Sequence, residues 1–182
     1  MKNQQDRKLE TITLAGGCFW CIEAVYNRIQ GVEQAVSGYI NGHTEAPSYA
    51  AVCQGDTGHA EAVQIRFDPA VISYRTLLEI LFSIHDPTQL NRQGHDVGTQ
   101  YRSGIYYLNP EQQAEAEAFV REAAAHFDAP IVTEILPAAR FWPAEDYHQG
   151  YFLQNPGTGY CLAVVAPKFF KARERYARLW KD

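Results

Sequence analysis

No stretch of the 182-residue chain is long and apolar enough to span a bilayer, and the opening residues MKNQQDRKLETITLAGG lack the continuous apolar core of a secretory signal. Positive charge is not in excess: 16 Lys and Arg against 21 Asp and Glu leave a formal net charge of -5. That balance argues against a non-specific nucleic-acid binder, which needs a basic face to displace counterions. The modest basic run from Lys168 to Lys181 reads as a solvated helix face. Internal repeats, low-complexity tracts and convincing linkers are missing, and at ~150 residues per domain the length leaves room for one domain. The expectation is a cytoplasmic, single-domain protein with neither membrane nor nucleic acid as partner.

Cysteine is sparse. Cys18, Cys21, Cys53 and Cys161 are even in number, but a reducing compartment disfavours permanent bridges, so any disulfide here should be transient. A structural zinc at Cys18-x-x-Cys21 would want two more ligands at short spacing, and Cys53 and Cys161 form no second pair. No metal is expected. Apolar material is plentiful: 46% hydrophobic and 13% aromatic residues against 20% charged ones supply a substantial core.

Periodicity supplies the elements. Glu10 to Ala15 reads as a strand running into Gly16-Gly17, after which Phe19, Ile22, Val25, Tyr26 and Ile29 recur at helical spacing, so Cys18 opens a helix that Gly31 stops. Val32 to Tyr39 is the next strand. Residues 41 to 58 form a structured loop with a short helical turn from Ser48 to Cys53. His59 to Phe67 alternates, placing Glu61 on the same face as Val63, Ile65 and Phe67. Ser73 caps a helix through His85. Residues 87 to 100 are either an active-site loop or disordered. Tyr101 to Leu108 is a strand, Pro110 opens a helix ending near His126, and Ile131 to Leu136 is a strand. Pro143 to Phe152 reads as a short helix, Gln154 to Tyr160 as a turn-rich loop, Leu162 to Ala166 as a short apolar piece and Pro167 to Trp180 as an amphipathic helix. The alternation predicts an α/β or α+β fold: one two-layer domain, helices packed on a mixed β-sheet, with long functional loops.

The sharpest local feature is Gly16-Gly17-Cys18-Phe19-Trp20-Cys21 at a strand-to-helix turn. Unpaired amides and the helix dipole there favour a thiolate, which makes Cys18 a candidate nucleophile rather than a small buried hydrophobe. The Cys18-x-x-Cys21 spacing also fits a thioredoxin- or glutaredoxin-like dithiol-disulfide oxidoreductase, with Pro130 as the one candidate for the proline such folds place beside the site. Glu61, a carboxylate on an apolar strand face, should be desolvated and protonated near neutral pH, fit to donate a proton. It is equally readable as a glutamate held by a buried hydrogen bond or sitting at the strand's exposed end. The loops add Tyr49, His95, Asp96, Tyr101 and Arg102, while Tyr147, His148 and Tyr160 flank the last cysteine. Cys161, among turn residues, reads as a mobile thiol able to reach another sulfur, or as a permanently buried one.

Four motifs then fall in one order: Gly17-Cys18-Phe19-Trp20; Gly55-Asp56-Thr57-Gly58-His59-Ala60-Glu61-Ala62-Val63; His95-Asp96-Val97-Gly98-Thr99-Gln100-Tyr101-Arg102-Ser103; and Gly159-Tyr160-Cys161. Together they resemble the A-type peptide-methionine sulfoxide reductases across nearly the whole chain, a class that repairs oxidised methionine. The resemblance implies a cofactor-free reductase of the S epimer of methionine sulfoxide, free or in proteins, in a catalytic domain over residues 9–182 after an extension over 1–8. It implies Cys18 as nucleophile, Glu61 as general acid, and Tyr49, Asp96 and Tyr101 around the sulfoxide oxygen. Phe19 and Trp20 would wall the S-methyl group, and Cys161 would resolve the oxidised Cys18 into a disulfide that thioredoxin reduces. Cys53 matches a position without a catalytic role. Many relatives have glycine where this chain has Cys21, so Cys21 stays open as a second resolving thiol.

Overall fold

A computed structural model describes residues 8–182. The extension expected over residues 1–8 therefore lies, Lys8 apart, outside the described residues. Strand β1 (Glu10–Ala15) carries Ile12 and Leu14 into the core and stops at the Gly16-Gly17 turn. Helix α1 (Phe19–Tyr26) follows, shorter than its apolar spacing suggests. Its end is set by Asn27, whose side chain both accepts from and donates to the backbone of Ala35, turning the chain into β2 (Val32–Ile40). Helix α2 (Tyr49–Cys53) is capped by the Ser48 hydroxyl, which accepts from the Ala51 amide. Strand β3 (Ala60–Phe67) and helix α3 (Tyr74–Ile84, capped by Ser73) follow, each close to its predicted span.

Residues 87–100 are ordered, with a two-residue hairpin, β4 (Arg92–Gln93) against β5 (Asp96–Val97), and a 3-10 turn over Thr99–Tyr101. Strand β6 (Gly104–Tyr107) precedes α4 (Pro110–Ala123), which Asn109 caps. The strand expected from Ile131 begins only at β7 (Glu134–Pro137), where pairing with β6 begins. The single helix expected over residues 143–152 is instead strand β8 (Trp142–Pro143), a 3-10 turn over Asp146–His148 and the one-turn helix α5 (Tyr151–Gln154). Residues 161–165 form a wide π-helical turn continuous with α6 (Ala166–Arg175). Pro167 lacks an N–H and its ring crowds the carbonyl four residues back, so a loosened turn at this junction relieves the clash.

The six-stranded sheet has the order β7-β6-β1-β3-β2-β8. Only β6 and β7 pair in parallel, so the sheet is mixed, as expected. Strands β1 and β2 run parallel to each other with β3 between them. The main core lies between one sheet face, carrying Ile12, Leu14, Val63 and Ile65, and the helices, carrying Ile22, Leu77, Leu81, Phe119 and Phe169. A smaller cluster of Ala15, Ile40, Ala60, Ala62 and Tyr106 fills the other face. Among the described residues no helix is long and apolar enough to cross a membrane.

Candidate active site

Two glycines aim Cys18. A Cβ on Gly16 would lie 2.8 Å from the buried His85 ring, and one on Gly17, whose φ is +85°, would lie 2.8 Å from Gln93. Only glycine permits that approach together with a left-handed backbone. The Gly17 amide donates to the Tyr101 carbonyl (3.2 Å), tying this turn to the Thr99–Tyr101 turn. Cys18 then occupies the N-cap of α1, 7% exposed.

Glu61 is brought to the same place by strand register. It pairs with Tyr39 of β2, on the face that carries Val63 and Ile65, and is 1% exposed. Its Oε1 accepts the Phe19 amide at 3.2 Å, at the first turn of α1, while its Oε2 is buried with no partner. The carboxyl thus caps the helix that Cys18 opens. Desolvation outweighs the single amide bond and pushes its pKa up to about 8, so it holds a proton at neutral pH. The parity expectation for Glu61 holds, and its free oxygen distinguishes it from a carboxylate satisfied by structure.

The helix start at Cys18 is opposed by its surroundings: burial, the neighbouring Cys21 and the nearby Glu61 push the Cys18 thiol up, while Cys21 beside it is lowered.

Around this pair stand three tyrosines. The Tyr160 hydroxyl donates to Asp96 Oδ2 and lies against Cys18, placing Asp96 beside the thiol through an intermediary. Tyr101 is half-buried among Glu61, Asp96 and Cys18, and burial raises its phenol. Tyr49 lies beside Cys53 and is likewise raised by burial. All three keep their protons. Phe19 is wholly buried against Tyr39, Tyr49 and His148, so it forms the floor of the site, whereas half-buried Trp20 stacks flat on Tyr151 with centroids 3.8 Å apart.

Sequence reasoning named Tyr160 and His148 only as neighbours of Cys161 and did not name Tyr151. His148 Nδ1 accepts from Trp20 Nε1 at 3.0 Å, which leaves the ring proton on buried, unpartnered Nε2. No local periodicity marks the pair, because extended Gln149 and left-handed Gly150 separate the turn that carries His148 from the helix that Tyr151 opens. All four thiols are free. Cys161 is buried: it is 0% exposed, within the π-helical turn that packs on α1. Cys21 is buried in hydrogen-bond contact with Cys18, and Cys53 is exposed at the end of α2. Among the described residues no group of three or more metal-ligating side chains converges.

A nucleophilic sulfur, a neutral carboxyl and hydroxyl donors converging on one point define a thiol-based oxidoreductase that works on a polar oxygen. Residues 10–179 match the family model for peptide methionine sulfoxide reductase, and the chain belongs to that family. It is 64% identical over 167 residues to the peptide methionine sulfoxide reductase MsrA of Pasteurella multocida (strain Pm70), covering 92% of this chain and 96% of that protein. Among solved structures it is similar to reduced Mxr1 from Saccharomyces cerevisiae, with a TM-score of 0.79 and 40% identity over 86% of this chain and 91% of that one. It also resembles Mxr1 in complex with Trx2, with a TM-score of 0.57 and 30% identity over 80% and 86% of the two chains. Family membership decides against the thioredoxin- or glutaredoxin-like alternative.

Proposed function

We propose that the protein reduces the S epimer of methionine sulfoxide, free and in proteins, in a catalytic domain over residues 9–182, and that thioredoxin restores it. The observation that carries the site reading is the buried, unpartnered Oε2 of a protonated Glu61 at the helix start that Cys18 opens. Sulfoxide oxygen leaves only once protonated. As Cys18 sulfur attacks the sulfoxide sulfur, Glu61 passes its proton to the oxygen, and the thiol proton of Cys18 replaces it. Sulfur–oxygen connectivity shifts from substrate to enzyme: methionine leaves, and Cys18 becomes a sulfenic acid. Hydroxyls of Tyr49 and Tyr101 stabilise charge growing on that oxygen, each well-aimed donor worth ~3 kcal/mol, while the Tyr160 hydroxyl donates to Asp96 and holds that side chain beside the site. Half-buried Trp20, backed by Phe19 beneath it, offers the S-methyl group an apolar wall.

The Cys161 thiol then attacks the sulfenic sulfur, forming a Cys18–Cys161 disulfide and releasing water; Cys21 is the second thiol in reach of this role. An external dithiol reduces the bridge by exchange and leaves oxidised. The solved complex of Mxr1 with Trx2 supports thioredoxin as that reductant. No cofactor has a step in this cycle. A cytoplasmic setting, where thioredoxin is kept reduced, fits it.

The test is Cys161→Ser incubated with S-methionine sulfoxide and followed by mass spectrometry. One methionine per enzyme should form without added thiol, and thioredoxin-driven cycling should stop. Full cycling would move the resolving role to Cys21, and absence of any methionine from the wild-type enzyme would sink the function.

A further inference from the structure

Glu61 and Tyr101 lie on separate stretches that meet the site from different directions. Glu61 follows the loop ending at Gly58, and Tyr101 ends the 3-10 turn that starts at Thr99. Among the described residues, the backbone of this turn bonds Gly17 but not the Gly58 loop. One side chain joins them. Arg102 donates from Nη1 to the Thr99 carbonyl at 2.9 Å and from Nη2 to the Gly58 carbonyl at 2.9 Å. Its Nε donates to Glu134 of β7, the edge strand, and the pair is largely shielded, with side-chain exposures of 16% and 24%. Glu134 in turn accepts from the Tyr106 hydroxyl at 3.4 Å. The guanidinium is therefore held from the sheet edge and turns one donor of each Nη onto a loop carbonyl.

We propose that Arg102 is a positioning residue that sets the placement of Tyr101 relative to Glu61, and that Glu134 orients it. Each of its three nitrogens is engaged by the two carbonyls and the carboxylate, which makes it a group that places its neighbours. The chemistry suits arginine alone, because a planar fork bridges three acceptors in fixed directions whereas a lysine ammonium satisfies them only as a flexible point charge. Misplacing a donor by ~1 Å can cost ~100-fold in rate, so a loosened fork should show in the first chemical step. The inference rests on the proposed roles of Glu61 and Tyr101.

The experiment measures single-turnover formation of methionine from methionine sulfoxide by Arg102→Lys, Glu134→Gln, Tyr101→Phe and the double variant Tyr101→Phe/Arg102→Lys, with melting temperatures in parallel. Arg102→Lys should slow the step about tenfold with substrate half-saturation changed less than about twofold. Glu134→Gln, which keeps the acceptor oxygen, should slow it less. In the double variant the two losses should combine to less than their product, because a fork acting through Tyr101 has nothing left to place. A wild-type rate in Arg102→Lys, a loss confined to half-saturation, or losses that multiply would overturn the proposal. A wild-type rate in Tyr101→Phe alone would instead overturn the role given to Tyr101 in the site. Should Arg102→Lys melt too early to assay, Glu134→Gln with and without Tyr101→Phe carries the same decision.

Discussion

The two halves of the site are held by different means. Cys18 and Glu61 are placed by backbone: a strand, a two-glycine turn, a helix start and a β2–β3 register fix them before any side chain is consulted. Residues 144–151, which bring His148 and Tyr151 to the opposite wall, have little regular structure of their own. Side chains clamp them. Gln149 Nε2 donates to the carbonyls of Ser37 and Ala144 while its Oε1 accepts the Ser37 amide. Glu145 accepts from the Tyr39 hydroxyl and the Tyr49 amide, and buried Glu23 of α1 accepts from the Gly150 amide. The difference teaches that chemistry sits where the ladder is rigid, while enclosure is built from polar contacts that single substitutions can release.

The comparison breaks most sharply at Glu61. Glu61→Gln keeps the shape and an amide acceptor for Phe19 but has no acidic proton, so methionine formation should slow about 100- to 1,000-fold in single turnover, within the range of general acid catalysis. A wild-type rate would remove Glu61 from the acid role.

That carboxyl also has a thermodynamic signature. Its folded pKa, about 8, is raised above an ordinary carboxyl's, so the folded form binds the proton more tightly. Its contribution is fully present below about pH 4.5 and is lost as pH rises through about 8. Relative to Glu61→Gln, the wild-type protein should thus lose on the order of 4 kcal/mol across that window. Urea midpoints of the two proteins at pH 5 and pH 8.5 check this, and parallel pH dependences would refute the burial account. In a Cys18→Ser background, the infrared band of the protonated carboxyl should vanish with a midpoint near pH 8.

The same division explains what could be read in advance. Alternation on β3 put Glu61 on the core face, and two glycines before Cys18 marked the strand-to-helix turn, because both signals are local periodicities. Residues 143–152 misled: their composition permits a helix, but Gln149, Glu145 and Glu23 spend their bonds on distant backbone, and no local pattern encodes a partner over 100 residues away, as with Gln149 and Ser37. Cys161 was readable as mobile or as buried for a related reason: its turn-rich neighbours are visible in sequence, whereas α1, which with the wide turn buries it, lies far off along the chain. At Cys18 the helix start is visible in sequence, whereas the burial that opposes it is not.

Glu23 probes the clamp next. Glu23→Ala leaves the Gly150 amide without its acceptor and opens space in α1, which should cost roughly 2–3 kcal/mol in urea unfolding, whereas Glu23→Gln should cost under about 1 kcal/mol. Burial already raises the Glu23 pKa, so a neutral side chain is nearly at home there. Equal losses in the two variants would show that charge, rather than the acceptor, holds Gly150.

The smallest effect is expected at Tyr151, which contributes a surface and no bond to the reacting group. Its ring lies 7° from parallel with Trp20. Such pairs are worth about 0.5–1.5 kcal/mol beyond the area they bury. Tyr151→Leu keeps the site apolar but lets the indole tilt, against which its bond to His148 and its contacts with Tyr49 and Tyr160 still act. Substrate half-saturation should rise severalfold while the single-turnover rate at saturation stays within about twofold, since wall contacts act alike on ground and transition states. If the saturated rate fell as far as in Glu61→Gln, the wall would be part of the chemistry, and the line drawn between ladder-held and clamp-held residues would not stand.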